Sequence, residues 1–126
     1  MVKGNESLLL VDDEAMVLEV GRQMLGKLGY RVLTAESARL ALDILNARHT
    51  EIDLIILDMI MPELGGGETF DRIRQIAPGK KVLLSSGYSI DGQAIEILRR
   101  GCDGFIQKPF GLNGLSQKIR EVLDKQ

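Results

Sequence analysis

Short apolar runs alternate with longer segments whose apolar residues recur at helical spacing along most of the chain. Ser7-Leu-Leu-Leu-Val11 is a continuous apolar run that stops at a pair of aspartates, which predicts a buried strand. From Ala15 to Leu28, apolar residues fall at Met16, Val20, Met24 and Leu28, a spacing that predicts the inward stripe of a helix closed by Gly29. Tyr30 to Ala35 reads as a second, more mixed strand. Ser37 to Arg48 reads as a helix with Ala38, Ala41, Leu42 and Leu45 on one face. Asp53-Leu-Ile-Ile-Leu-Asp58 is the clearest strand, and its unbroken apolar centre suits a parallel strand covered on both faces. Pro62 and Gly65-Gly66-Gly67 break the chain before a helix through Phe70, Ile73 and Ile76, which Pro78-Gly79 closes. Lys81 to Ser85 and Gly104 to Gln107 supply the fourth and fifth strands. Asp91 to Arg100 and Leu112 to Leu123 supply the last two helices. Met1 to Glu6 reads as a frayed lead-in.

Five strand–helix units in strict alternation predict an α/β fold with a parallel sheet, and right-handed crossovers leave few topologies open to it. The expected form is a flavodoxin-like (βα)5 three-layer sandwich with strand order 2-1-3-4-5. The 126 residues fit one domain, with its core at about 7–123 and no internal linker or repeat. Charge adds little: a net charge of −2 gives no field strong enough to argue for nucleic acid or an anionic membrane, and neither is expected as a direct partner. The apolar runs are too short to span a bilayer, and the N-terminus lacks the apolar stretch of a secretion signal. With a single cysteine, Cys102, no internal disulfide can form. The expected location is the cytoplasm.

Ligands of open α/β sheets gather where the strands end at their carboxyl edge. Here those ends carry Asp12 and Asp13, then Asp58, then Ser85 and Ser86 followed by Gly87, then Lys108-Pro109. Three carboxylates drawn together repel one another unless a cation sits among them. Hard oxygen donors of this kind suit magnesium, which takes one or two carboxylates and keeps several waters. A lysine and a hydroxyl beside one such aspartate make a site fit for a phosphoryl group, and carboxylates do act as phosphoryl acceptors.

These residues carry a resemblance. Val11-Asp12-Asp13-Glu14, Leu57-Asp58-Met59-Ile60-Met61-Pro62 with Gly66, Leu84-Ser85-Ser86-Gly87 and Lys108-Pro109-Phe110 resemble the receiver domain of two-component response regulators, over about Ser7 to Leu123. The stretches Leu83 to Ser89 and Gly104 to Phe110 are most similar to receivers of hybrid sensor histidine kinases. The resemblance implies that Asp58 is the phosphoacceptor in a phosphorelay and Asp13 a direct magnesium ligand. It implies that the Met59 backbone carbonyl completes the protein ligands, that Asp12 acts through water, and that manganese can replace magnesium. Ser86 matches the switch hydroxyl, Gly87 a small residue leaving room for the phosphoryl group, and Lys108 the lysine of the pattern, whose bond to Pro109 is often cis. Phe105 matches the aromatic switch, here without the hydroxyl of the commoner tyrosine. Ile60 and Tyr88 flank the route of the hydrolytic water in that family, so a long-lived phosphoryl group is expected. The implied partners are a histidine kinase or a histidine phosphotransfer domain. A homodimer mate or a kinase in the same chain could also read the face formed by the fourth helix, fifth strand and fifth helix. No enzyme activity is expected beyond self-phosphorylation and slow self-dephosphorylation.

Competing readings are weaker. A phosphatase of the haloacid dehalogenase kind needs a second aspartate two residues after the nucleophile, where this chain has Ile60. A docking module that never takes phosphate would have no use for the full set of site residues. A flavin carrier would need an anion-binding loop where Asp12-Asp13-Glu14 would repel one. Asp12 and Asp13 as a mere helix cap, or Lys108 as a solvated lysine, leaves the other strand ends unexplained. Gly65 to Gly67 lacks phosphate-loop spacing and reads as a flexible loop. His49 reads as a surface residue, Cys102 as a small packing residue, and Met16 with Met24 as core.

Overall fold

The computed structural model describes residues 2–125. Its elements run β1 (Ser7–Val11), α1 (Ala15–Lys27), β2 (Arg31–Ala35), α2 (Ala38–Arg48), a 3-10 turn (His49–Glu51), β3 (Leu54–Asp58), α3 (Gly66–Ile76), β4 (Lys81–Ser86), α4 (Gly92–Arg99), β5 (Gly104–Gln107) and α5 (Leu112–Leu123). The five strands form one parallel sheet of order β2-β1-β3-β4-β5, as the alternation predicts.

Alternation along each strand divides the core into two layers. Leu9 and Val11 of β1, Ile55 and Leu57 of β3, and Val82 and Leu84 of β4 face α2, α3 and α4. Leu8 and Leu10, Leu54 and Ile56, Leu83 and Ile106 face α1 and α5. Every residue of β3 is buried, because helices cover both its faces. The helix starts follow local capping chemistry. Ser37 accepts from the Leu40 N–H and Asp91 from the Ala94 N–H, so each satisfies a backbone donor that has no partner within its helix. Gly29 follows α1 with φ 96°, the helix stop expected at that glycine.

Three expectations are corrected. The buried face of α1 is Leu18, Gly21 and Leu25, not the Met16 stripe; Met16 is 80 % exposed and Val20 48 % exposed, while Met24 is half-buried. Gly21 explains the difference: a Cβ there would lie 2.6 Å from the Leu10 side chain, so the helix turns its glycine toward the sheet to approach it closely. Second, the three glycines are not a loop. Gly65 is the N-cap of α3, and Gly66 and Gly67 form its first turn. Third, the residues before β1 are tied down: the Gly4 N–H donates to the Leu28 carbonyl at 2.9 Å, and Glu6 pairs with Arg120 at 2.8 Å. His49 is half-buried, its Nδ1 3.2 Å from the Leu45 carbonyl. Cys102 is buried and its thiol donates to the Val82 carbonyl, a packing role. Among the described residues, no helix is long and apolar enough to cross a membrane.

Candidate functional site

Strand termini bring the sequence-predicted residues together. Hydrogen bonds extend past the strand ends at this edge: the Asp12 N–H donates to the Ala35 carbonyl, the Met59 N–H to Ser85, and the Lys108 N–H to Ser86 at 2.7 Å. The sheet thus fixes the backbone at Asp12, Met59 and Lys108. Carboxylate oxygens of Asp12, Asp13 and Asp58 all lie within 4.8 Å of one another. Asp12 and Asp58 are buried, and Asp13 is exposed at the rim. One Asp12 oxygen accepts from the Glu14 N–H, while the other takes the Lys108 ammonium at 2.5 Å. The same Nζ lies 3.3 Å from Asp58 Oδ1.

An open cleft of about 800 Å³ lies above this cluster, lined by Asp13, Asp58, Ile60, Ser86, Gly87 and Lys108 among others. Ser86 is buried, and its hydroxyl oxygen accepts from the Tyr88 N–H at 3.1 Å. Gly87 faces open space, with nothing within 4 Å of where a Cβ would stand. The Lys108–Pro109 bond is cis. Phe105 is half-buried and packs against the core layer of α2, α3 and α4.

The electrostatics are out of balance. Burial first, then the Asp12 charge, push the Asp58 carboxyl up to about 6, against the pull of Lys108. Burial opposes the charge on Lys108, but its hydrogen bond to Asp12 and the charges of Asp58 and Asp12 outweigh it, and its pKa is raised. Three carboxylates with one ammonium leave a cluster that a divalent cation would relieve, and an all-oxygen donor set is what magnesium prefers.

Met59 sits differently from the other expected ligands. Its carbonyl accepts from the Gly66 N–H at 2.9 Å, and Met59 lines a separate cavity between α3 and α4. Ile60 is the residue of that segment that lines the acidic cleft. Sequence reasoning also missed the apolar wall that Val17, Met24 and Phe110 give the cleft. Met24 of that wall belongs to the α1 stripe, which reads as core in sequence.

A five-stranded parallel α/β module with a buried aspartate, two further acids and a lysine at its carboxyl edge defines the class of this protein. Comparison with known proteins narrows it. Residues 8–120 match the family described as response regulator receiver domain. Sensor kinase CckA of Brucella abortus (strain 2308) is 34 % identical over 125 residues, 99 % of this chain and 13 % of its own length. Transcriptional regulatory protein GlrR of Escherichia coli (strain K12) is 33 % identical over 118 residues, 94 % of this chain and 26 % of its own length. This chain thus spans a small part of those relatives. A response regulator receiver domain protein from Clostridium thermocellum superposes with TM-score 0.89 at 30 % identity, covering 94 % of each chain. The chain belongs to the response regulator receiver domain family, whose general function is to accept a phosphoryl group on an aspartate within two-component signalling.

Proposed function

We propose that Asp58 is the phosphoacceptor and that residues 7–123 work as one receiver module, a signalling domain rather than an enzyme. One observation carries the reading: Asp58 is buried at the end of β3, 3.3 Å from the Lys108 ammonium and beside two more carboxylates. The phosphoryl group comes from a phosphohistidine on a histidine kinase or histidine phosphotransfer domain. An Asp58 oxygen forms the new P–O bond as the donor P–N bond breaks, and the imidazole leaves with the electron pair. Magnesium, with manganese able to replace it, would be held by Asp13, Asp58 and the backbone carbonyl of Ile60, with Asp12 acting through water; when bound it neutralises charge on the transferring oxygens. The Ile60 carbonyl takes the place given to Met59 by resemblance, because Met59 lies outside the cleft.

Lys108 is poised to leave Asp12 for the phosphoryl oxygens, which it would grip as a point charge. Ser86 supplies a hydroxyl to the same group once it gives up the Tyr88 N–H. Gly87 leaves the space the group needs. Phe105 moves with Ser86 between two states of a surface formed by α4, β5 and α5, and phosphorylation biases that equilibrium. The exposed side chains of Ile60 and Tyr88 stand at the mouth of the cleft and slow the approach of water, so the phosphoryl group persists. The reading places the module in the cytoplasm with its kinase.

The test is intact mass after incubation with magnesium and acetyl phosphate, for the native chain and Asp58→Asn. The expected result is a labile gain of about 80 Da, one phosphoryl group, in the native chain alone and abolished by chelator. No gain despite magnesium binding would make the chain a docking module. Rapid consumption of the donor with nothing retained would make it a phosphatase.

A further inference from the structure

The buried serine and threonine side chains are Thr69, Ser85, Ser86 and Ser116. All but Ser85 have partners. The Thr69 hydroxyl donates to the Gly65 carbonyl at 2.8 Å and the Ser116 hydroxyl to the Val2 carbonyl at 2.6 Å, while the Ser86 oxygen accepts from the Tyr88 N–H. Buried polar groups are bonded as a rule. Among the described residues the Ser85 hydroxyl bonds nothing, although Ser85 is only 3 % exposed. No fully buried polar side-chain atom of those residues lacks a partner, so the trace of Ser85 that stays open includes its hydroxyl.

Strand pairing puts that hydroxyl beside Asp58. β3 and β4 run parallel with Asp58 and Ser85 as direct Cα partners, and neighbouring strands lie about 4.8 Å apart. Ile56 and Leu83 face α1 and α5, so Asp58 and Ser85, each two residues further on, share that face. On its other side Ser85 pairs with Ile106 of β5, two residues before Lys108. The Ser85 backbone is fixed, because its carbonyl accepts from the Met59 N–H at 2.8 Å. The side chain is left only its rotation about the Cα–Cβ bond. Ile56, Leu83 and Ile106 make this face apolar, and a packing role beside them would be met by an apolar side chain. The donor that now faces Asp58 is Lys108, whose ammonium lies 3.3 Å from Oδ1. Once that ammonium turns to a phosphoryl group, the Asp58 oxygen it leaves has lost a partner.

We propose that Ser85 turns its hydroxyl to the Asp58 oxygen that Lys108 leaves, and that this bond shortens the life of the phosphoryl group. The inference rests on the Asp58 reading and adds a control on its lifetime. A carboxylate oxygen has two lone pairs, so this one can take a metal ion and a hydroxyl together. In hydrolysis a water oxygen bonds to phosphorus as the bond from phosphorus to Asp58 breaks. The electron pair returns to the Asp58 carboxylate, and the water protons leave with the phosphate. Negative charge therefore grows on the oxygen that Ser85 bonds, and the bond strengthens as it grows. Uptake starts from the full carboxylate charge, and a loose transition state removes little of it. The hydroxyl thus acts on loss far more than on uptake, against the slowing of water by Ile60 and Tyr88.

The test loads the native chain, Ser85→Ala, Ser85→Thr and Ser85→Val with acetyl phosphate and magnesium, removes the donor, and follows the retained phosphoryl group by intact mass. Ser85→Ala should lose it about fivefold more slowly than the native chain, with uptake within about twofold. Ser85→Thr keeps the hydroxyl and should return to the native rate of loss. Ser85→Val has the shape of threonine without the hydroxyl and should match Ser85→Ala; the Thr and Val pair carries the test if Ser85→Ala fails to fold. An equal or shorter lifetime in Ser85→Ala would overturn the proposal, as would a Ser85→Val chain that matches Ser85→Thr. A native chain that retains no phosphoryl group would overturn the Asp58 reading, and this control with it.

Discussion

The two edges of the sheet treat charge in opposite ways. At the carboxyl edge, Asp12, Asp13 and Asp58 crowd around one lysine, and Asp58 is pushed up to about 6 by burial and by Asp12. At the amino edge, Arg120 sits between Glu6 and Asp124, and Arg74 bonds the Lys80 carbonyl, the Gly101 carbonyl and Asp103. There the shifts run toward charge: Arg120 is raised, first by its hydrogen bond to Glu6, and Glu6 is lowered, first by Arg120. One edge pairs its charges closely, and the other keeps charge poorly paired, as functional sites do. A receiver that paired its acids as well at the top as it does at the bottom would leave magnesium nothing to relieve.

Removing Arg74 should break the comparison hardest. Its guanidinium also lies over the Phe70 ring, 4.8 Å from the centroid, and Asp103 accepts from the Val82 N–H on the same oxygen that Arg74 bonds. Arg74→Ala leaves the Lys80 and Gly101 carbonyls without that donor and Asp103 without its cation, a loss of about 2–4 kcal/mol for a mostly buried, charge-assisted cluster. Urea unfolding should show a lower midpoint at an unchanged slope. Phosphoryl uptake at Asp58 should persist under folding conditions, since Arg74 sits at the other edge.

At the carboxyl edge the expected sign reverses. The folded carboxyl of Asp58 is raised above its unfolded value near 3.9, so the charged form is the one the fold disfavours. Its contribution is complete below about pH 4 and is lost as the pH rises through about 6. Asp58→Asn should therefore stabilise the metal-free chain by about 1–3 kcal/mol at pH 7, and the gain should vanish near pH 4. Thermal melts at the two pH values check this. Magnesium should act like the mutation: at about 100-fold above its dissociation constant it should add about 2.7 kcal/mol to the native chain and far less to Asp58→Asn. An Asp58→Asn chain less stable than the native one at pH 7 would remove the case for an electrostatically poised edge.

The carboxyl edge was largely legible in the sequence, the amino edge hardly at all. Continuous apolar runs ending in Asp12, Asp58, Ser86 and near Lys108 give both the strands and the residues at their tips, because a parallel strand buried on both faces leaves only its ends for polar groups. The stripe at Met16, Val20 and Met24 is not the buried face of α1, which is Leu18, Gly21 and Leu25, and the glycine there marks the close approach to Leu10. The bond from the Gly66 N–H to the Met59 carbonyl is a contact made by folding, which no local pattern marks. The amino-edge contacts escaped notice because Val2 and Ser116, like Glu6 and Arg120, lie 114 residues apart, and nothing local marks such partners.

The finest test sets the two edges against each other through pH. Glu6 is lowered below its ordinary value, mainly by the Arg120 hydrogen bond, with burial working the other way. A lowered carboxylate contributes stability that is full above its unfolded value and is lost as the pH falls through its folded one. Glu6→Gln should therefore cost about 1 kcal/mol at pH 7, a bidentate but partly solvated pair, and nothing measurable near pH 3. The profile is the mirror of Asp58→Asn, whose effect also appears as pH rises but with stabilising sign. In a chain carrying both substitutions the two terms should add, because the sites lie at opposite edges of the sheet and share no partner. Melts of the four chains across pH 3 to 8 form the cycle. A coupling above about 0.5 kcal/mol would mean that the edges communicate through the sheet, and the amino edge would then belong to the switch rather than to its foundation.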